Sequence, residues 1–204
     1  MNLLTFVRYT FDSKYLIRWV LPGLAIYIPI LNFFSIGYVV KMAKTFLFGN
    51  IGIPTWENKS QIWVEGLRIV IICVIYFALP SFILSIGYFF SNMEGIVGFI
   101  GKVLTFFSYP LFFIFSFPLP FAFSVYAQKM HIKDAFDYEK ILVAIKEVSV
   151  PYITGFICAF FALFVSKALI AIPYIGFIIS SLTTYYTFLL SSYFFATLFK
   201  RATL

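Results

Sequence analysis

Apolar residues in this chain come in long unbroken stretches, separated by short polar connections. The stretches cover residues 19–40, 66–90, 95–127, 150–171 and 173–199. A bilayer core about 30 Å thick takes about 20 helical residues per crossing. A transmembrane β-barrel needs apolar and polar residues alternating in segments of about ten, and runs such as residues 69–90 show no alternation. The pattern predicts an all-α, polytopic transmembrane helical bundle forming a single transmembrane domain over residues 1–204. Four stretches (66–90, 95–127, 150–171 and 173–199) read as full crossings. Residues 1–18 mix Leu3, Leu4, Phe6, Val7 and Phe11 with Arg8, Asp12, Lys14 and Arg18, which suits a helix lying at the membrane interface.

The stretch at 19–40 is broken by Pro22, Pro29 and Asn32. Basic residues mark the cytoplasmic side of a membrane protein. Lys129, Lys133, Lys140 and Lys146 place one connection inside, and Lys200 and Arg201 place the C-terminus with it. Turns near Glu94 and Pro173 then lie outside. If residues 19–40 crossed once, Arg8, Lys14 and Arg18 would lie outside, against the rule. A shallow or re-entrant hairpin over residues 19–47 keeps both termini in the cytoplasm. A weak internal echo agrees: Phe11-Asp12 and Ile28-Pro29-Ile30 are answered by Phe136-Asp137 and Ile172-Pro173-Tyr174.

Composition sharpens this picture. The chain is 62% hydrophobic and 11% charged, with a mean hydropathy of +0.99, against about 25% charged residues in soluble domains. A net charge of +7 reads as membrane orientation, not as a nucleic-acid footprint. Cys73 and Cys158 lie inside apolar runs and read as packing residues. The N-terminal stretch lacks a basic segment followed by a small-residue cleavage site, so no cleaved signal peptide is expected.

Several connections resemble those of an uncharacterised family of archaeal and bacterial membrane proteins, domain of unknown function 4013. The residues that carry the resemblance are Gly37-Tyr38 with Lys41 and Lys44, Pro54-Thr55-Trp56-Glu57-Asn58, Glu65-Gly66-Leu67, and Ala135-Phe136-Asp137. Thr55 stands where the family pattern has an acidic residue. The resemblance implies a multi-span membrane protein of a prokaryote and implies no activity.

Two groups of residues are candidates for function. Lys102, Ser108, Tyr109, Pro110 and Ser116, with Asn32, are polar or proline positions within apolar runs. Pro110, Pro118 and Pro120 predict kinks or an unwound stretch whose freed carbonyls line a polar cavity. Packing by neighbouring helices, and snorkelling of Lys102, are the simpler accounts. The second group is an interfacial motif of Pro54, Trp56, Glu57, Asn58, Trp63 and Glu65, with both tryptophans at headgroup level. Glu65 and Arg68, three apart, can pair. Ser180, Thr184, Thr187 and Ser191 share one face of the last run, read first as a close-packing stripe, and Lys167 reads as snorkelling at the outer turn. His131 lacks partners at metal-ligand spacing.

No phosphate loop, metal-ligand pair or Ser-His arrangement is visible, and every carboxylate lies in a connection or at a helix end. The expectation is a non-enzymatic protein without a cofactor, in the plasma membrane of a prokaryote. It binds or moves a small solute or lipid; the alternative is a structural or assembly protein. Its expected partners are the lipid bilayer and a second copy or another membrane protein, with no nucleic acid.

Overall fold

A computed structural model describes residues 3–50 and 52–203. Met1 and Asn2 of the N-terminal stretch and Leu204 lie outside the described residues. Among the described residues the chain is helical with no strand: α1 (Leu3–Thr10), α2 (Ser13–Ala25), α3 (Asn32–Leu47), α4 (Lys59–Ser91), α5 (Gly95–Ser116), α6 (Leu119–Lys129), α7 (Tyr138–Glu147), α8 (Ser149–Ala168) and α9 (Gly176–Ala202). Short 3₁₀ turns occupy Ile132–Phe136 and Leu169–Ala171. The chain forms two compact units, one from Met1–Ile69 with Pro120–Leu204 and one from Val70–Leu119.

The larger unit is built around α9, which packs against α8, α3, α2 and α7. The expected single interfacial helix at the N-terminus is instead two helices. Asp12 separates them, its carboxylate accepting from the Lys14 backbone N–H at 3.0 Å as the N-cap of α2, a role suited to a short acceptor side chain. Asp137 caps α7 likewise, through the Lys140 N–H at 3.2 Å. On α7, Ile141, Ala144 and Ile145 are buried, while Leu142 is 55% exposed.

Helices α2 and α3 form a hairpin that turns back at Ile28–Leu31. Along α2 the ring of Trp19 meets Tyr186 at 5.0 Å and that of Tyr27 meets Phe177 at 5.6 Å, so α2 runs antiparallel to α9. Along α3, Val39 accepts from the Ser192 hydroxyl at 3.3 Å and Phe46 meets the Tyr193 ring at 5.0 Å, so α3 runs parallel to it. The first apolar stretch is therefore not one continuous helix but doubles back on itself. Its tip lies level with the start of α9.

The sequence echo is matched by geometry. Ile28 N–H donates to Ala25 at 3.0 Å and Ile172 N–H to Leu169 at 3.1 Å; Asn32 N–H donates to Ile28 at 2.9 Å and Gly176 N–H to Ile172 at 3.0 Å. The residue after each proline is left-handed, Ile30 at φ 71° and Tyr174 at φ 65°. The arms differ in length, but the turns are the same structure.

The smaller unit is a hairpin of the C-terminal part of α4 and α5. Its arms approach closely because Gly87, Gly98 and Gly101 carry no side chain. A methyl group on Gly87 would stand 2.7 Å from the Thr105 nitrogen, and one on Gly101 would collide with Ser91. Small residues allow such approach where lipid supplies no hydrophobic drive.

Three helical stretches are long and apolar enough to cross a membrane: Lys59–Ser91, Gly95–Lys129 and Ser149–Ala171. Only 22%, 17% and 11% of their most apolar segments are buried, which leaves rows of side chains such as Val74, Phe82, Phe99, Phe106 and Phe161 uncovered. The sequence pattern counts α9 as a fourth full crossing, and α9 is not among the three. The reason lies in its composition. Ser180, Ser181, Thr184, Tyr185 and Tyr193 interrupt its apolar run, and all five are buried inside the larger unit. The expected break at the prolines falls in one place only: α5 continues through Pro110, and the helix stops at Phe117-Pro118, with Pro120 in the first turn of α6.

Candidate functional site

The polar end of the larger unit starts from α3, where Gly37, Tyr38, Lys41 and Lys44 recur at helical spacing on neighbouring turns. The segment that follows, Gly52–Asn58, is neither helix nor strand, so its carbonyls need other donors. Side chains supply them. Arg18 donates to the Ile53 carbonyl at 2.8 Å, Tyr38 to Pro54 at 2.6 Å, and Lys41 to Thr55 and Glu57 at 2.7 and 3.1 Å. Trp56 stacks on Tyr38 at 4.3 Å and 8°, and its indole N–H donates to the Arg18 carbonyl at 3.2 Å. Trp56 thus clamps this segment onto α2 and α3. Trp63 packs edge-on against Phe33 at 5.4 Å. Partial burial pulls the Lys41 ammonium down from the ordinary lysine value, opposed by the Glu57 carboxylate.

Asn58, left-handed at φ 58°, ends this segment and starts α4. About two turns further on, Gly66 meets Gly37 where α4 crosses α3, and a side chain on either would fall onto the other helix's backbone. This crossing sets Glu65 into the interior. The sequence pattern puts every carboxylate at a helix end or connection; Glu65 sits inside α4 and is 6% exposed. Its partners satisfy both oxygens. Arg68 donates to Oε1 at 3.0 Å, as the spacing predicts, and the fully buried Tyr126 of α6 donates to Oε2. An unpaired buried carboxylate costs several kcal/mol; this one is paired and doubly hydrogen-bonded.

Two clefts open on this cluster. The inner one, about 330 Å³, is lined by Lys41, Lys44, Glu57, Asn58, Gln61 and Glu65, among others. The outer one, about 480 Å³, is lined by Arg68, Met130, His131, Ile132, Lys133 and Asp134. Met130 borders both. It is left-handed at φ 61° and ends α6 by donating its N–H to Tyr126 at 2.6 Å. Asp134 is paired with Lys129 at 3.0 Å, leaving Arg68, Lys133 and His131 as the basic side of the outer cleft.

The motif residues Pro54, Trp56, Glu57, Asn58 and Glu65 therefore come together around α3, with Trp63 beside them. Tyr126, Met130 and His131 complete the site. Sequence reasoning missed Tyr126, whose only signal is a phenol near the polar end of an apolar run. The other candidates are placed elsewhere. Lys102, Tyr109 and Pro110 lie on exposed positions of α5. Ser108 is buried, but its hydroxyl donates to the Thr105 carbonyl at 2.6 Å, and Ser116 donates to Phe113 at 2.8 Å. These hydroxyls turn back onto their own helix. Asn32 starts α3 in the larger unit, with its side-chain oxygen buried and without a partner.

The hydroxyl stripe of α9 has a partner as well. The Tyr27 hydroxyl is 2.9 Å from Ser180 Oγ and 2.6 Å from Thr184 Oγ1. Lys167, exposed, is held 3.9 Å over the Tyr27 ring, a cation–π contact.

No curated protein and no solved structure matches this chain. A family model does, over residues 20–180, a range that takes in α3, the clamped segment and the whole Glu65 cluster. The chain belongs to the family described as Protein of unknown function (DUF4013).

Proposed function

We propose that this chain is a non-enzymatic integral membrane protein that binds or moves a small polar solute or a lipid headgroup at the two clefts beside Glu65. One observation carries the reading. In a chain that is 62% hydrophobic, a buried carboxylate, its partly exposed arginine and a buried tyrosine border two open clefts. Ionisable groups at helix depth in membrane proteins mark ligand or ion paths. The hairpin of α2 and α3 supports an arrangement with both termini on the cytoplasmic side of a prokaryotic plasma membrane, since Lys41, Lys44, Lys129 and Lys133 then lie together inside. In that arrangement α9 is the fourth crossing, shielded from lipid by its neighbours.

The test is native mass spectrometry of the full chain released from nanodiscs. A retained small molecule or lipid is expected, lost in Arg68→Met and reduced in Lys44→Ala. A chain that emerges empty, with the variants altering only its association with itself or a partner, refutes ligand binding and favours an assembly role.

A further inference from the structure

Arg68 carries five N–H donors and gives one to Glu65 Oε1. Its side chain is 39% exposed and that of Glu65 is 8%, so the cation opens onto the outer cleft while the carboxylate does not. His131 and Lys133 border the same cleft, and its one carboxylate, Asp134, already has Lys129. A guanidinium takes carboxylate and phosphate oxygens with the same fork of parallel donors. Glu65 takes one donor and offsets the guanidinium's charge, which weakens the hold of that group on a second anion.

We infer that Glu65 is an internal competitor for Arg68, occupying the guanidinium until a phosphate group enters the outer cleft and takes it over. This rests on the clefts being a binding site and adds the ligand's chemistry: a phosphate, free or on a lipid headgroup. Tyr126 makes the exchange feasible. When Arg68 turns to the ligand, the Tyr126 hydroxyl still donates to Glu65, so the carboxylate is not stranded without a donor. Two substitutions should then act with opposite sign. Removing the carboxylate charge frees Arg68. Removing the tyrosine hydroxyl ties Glu65 more closely to Arg68.

The experiment uses the full chain in nanodiscs. Inorganic phosphate is titrated calorimetrically into protein in phosphatidylcholine; in a second arm, phosphatidylglycerol is included and the lipid retained on release is read by native mass spectrometry. The first arm reports a free anion and the second a headgroup. Glu65→Gln is expected to tighten binding about tenfold, equivalent to about 1.4 kcal/mol, in whichever arm binds. Tyr126→Phe is expected to weaken it several-fold and Arg68→Met to abolish it. Binding that Glu65→Gln leaves unchanged or weakens keeps the clefts as a site and overturns the competitor. Absence of binding in both arms for every variant overturns the phosphate assignment, while the proposed function itself is decided by the retained-ligand measurement. Should Glu65→Gln not fold, Tyr126→Phe decides: binding as tight as the parent, or tighter, overturns the inference.

Discussion

Gly37 of α3 and Gly66 of α4 are packed backbone to backbone: a methyl group on Gly37 would stand 2.9 Å from the Gly66 nitrogen, and one on Gly66 would stand 3.0 Å from the Gly37 nitrogen. The contact is reciprocal, so neither helix can yield without moving the other. Gly37→Ala or Gly66→Ala is expected to destabilise the larger unit by about 1–3 kcal/mol, the range for overpacking. Gly52→Ala, which would meet nothing within 4 Å, is the control. Thermal melting in detergent should show lower midpoints for the first two and an unchanged one for the third.

Tyr27 ties the first hairpin to α9 through the Ser180 and Thr184 hydroxyls. Tyr27→Phe removes both bonds while keeping the ring under Lys167. The expected cost is about 1 kcal/mol, the scale of hydrogen bonds between membrane helices. A double-mutant cycle with Thr184→Ala checks it. Additive losses would show that the two hydroxyls do not interact.

Ile30 and Tyr174 hold left-handed backbone where glycine is the natural choice. Ile30 is 67% exposed, so its side chain contributes little packing. Ile30→Gly is expected to raise stability by about 1 kcal/mol, read as a higher melting midpoint. A lower midpoint would show that the side chain, not the turn, governs this position.

In the proposed arrangement both termini lie on one side of the membrane and the tips of the two hairpins on the other. With Cys73 and Cys158 replaced, single cysteines at Leu4 and Thr203 should react with an impermeant maleimide from the cytoplasmic side. Cysteines at Ile30 and Tyr174 should react, if at all, from the other. Labelling of Leu4 and Tyr174 from one side would overturn the topology.

Much of this was legible along the chain, for reasons that are local. The length of the apolar runs requires helices in lipid. Pro29 and Pro173 mark the turns through their own backbone chemistry. The Glu65–Arg68 pair follows from helical spacing alone. Other contacts needed the fold: Trp56 stacks on Tyr38 and Lys167 lies over the Tyr27 ring, partners that no local pattern specifies, while the buried Ser108 bonds its own helix, in keeping with the packing account.

What the sequence by itself determined is the helical class and the return of the first apolar stretch, because hydropathy and the placement of lysine and arginine are properties of single segments. What only the tertiary structure decided is the neighbourhood of each polar group. Glu65 meets Tyr126 across 61 positions of chain, and no local pattern links them. That meeting depends on how closely α3 and α4 cross, which Gly37 and Gly66 set by having no side chains. A buried charge must find its partners wherever the packing puts them, and here the packing put them beside two open clefts.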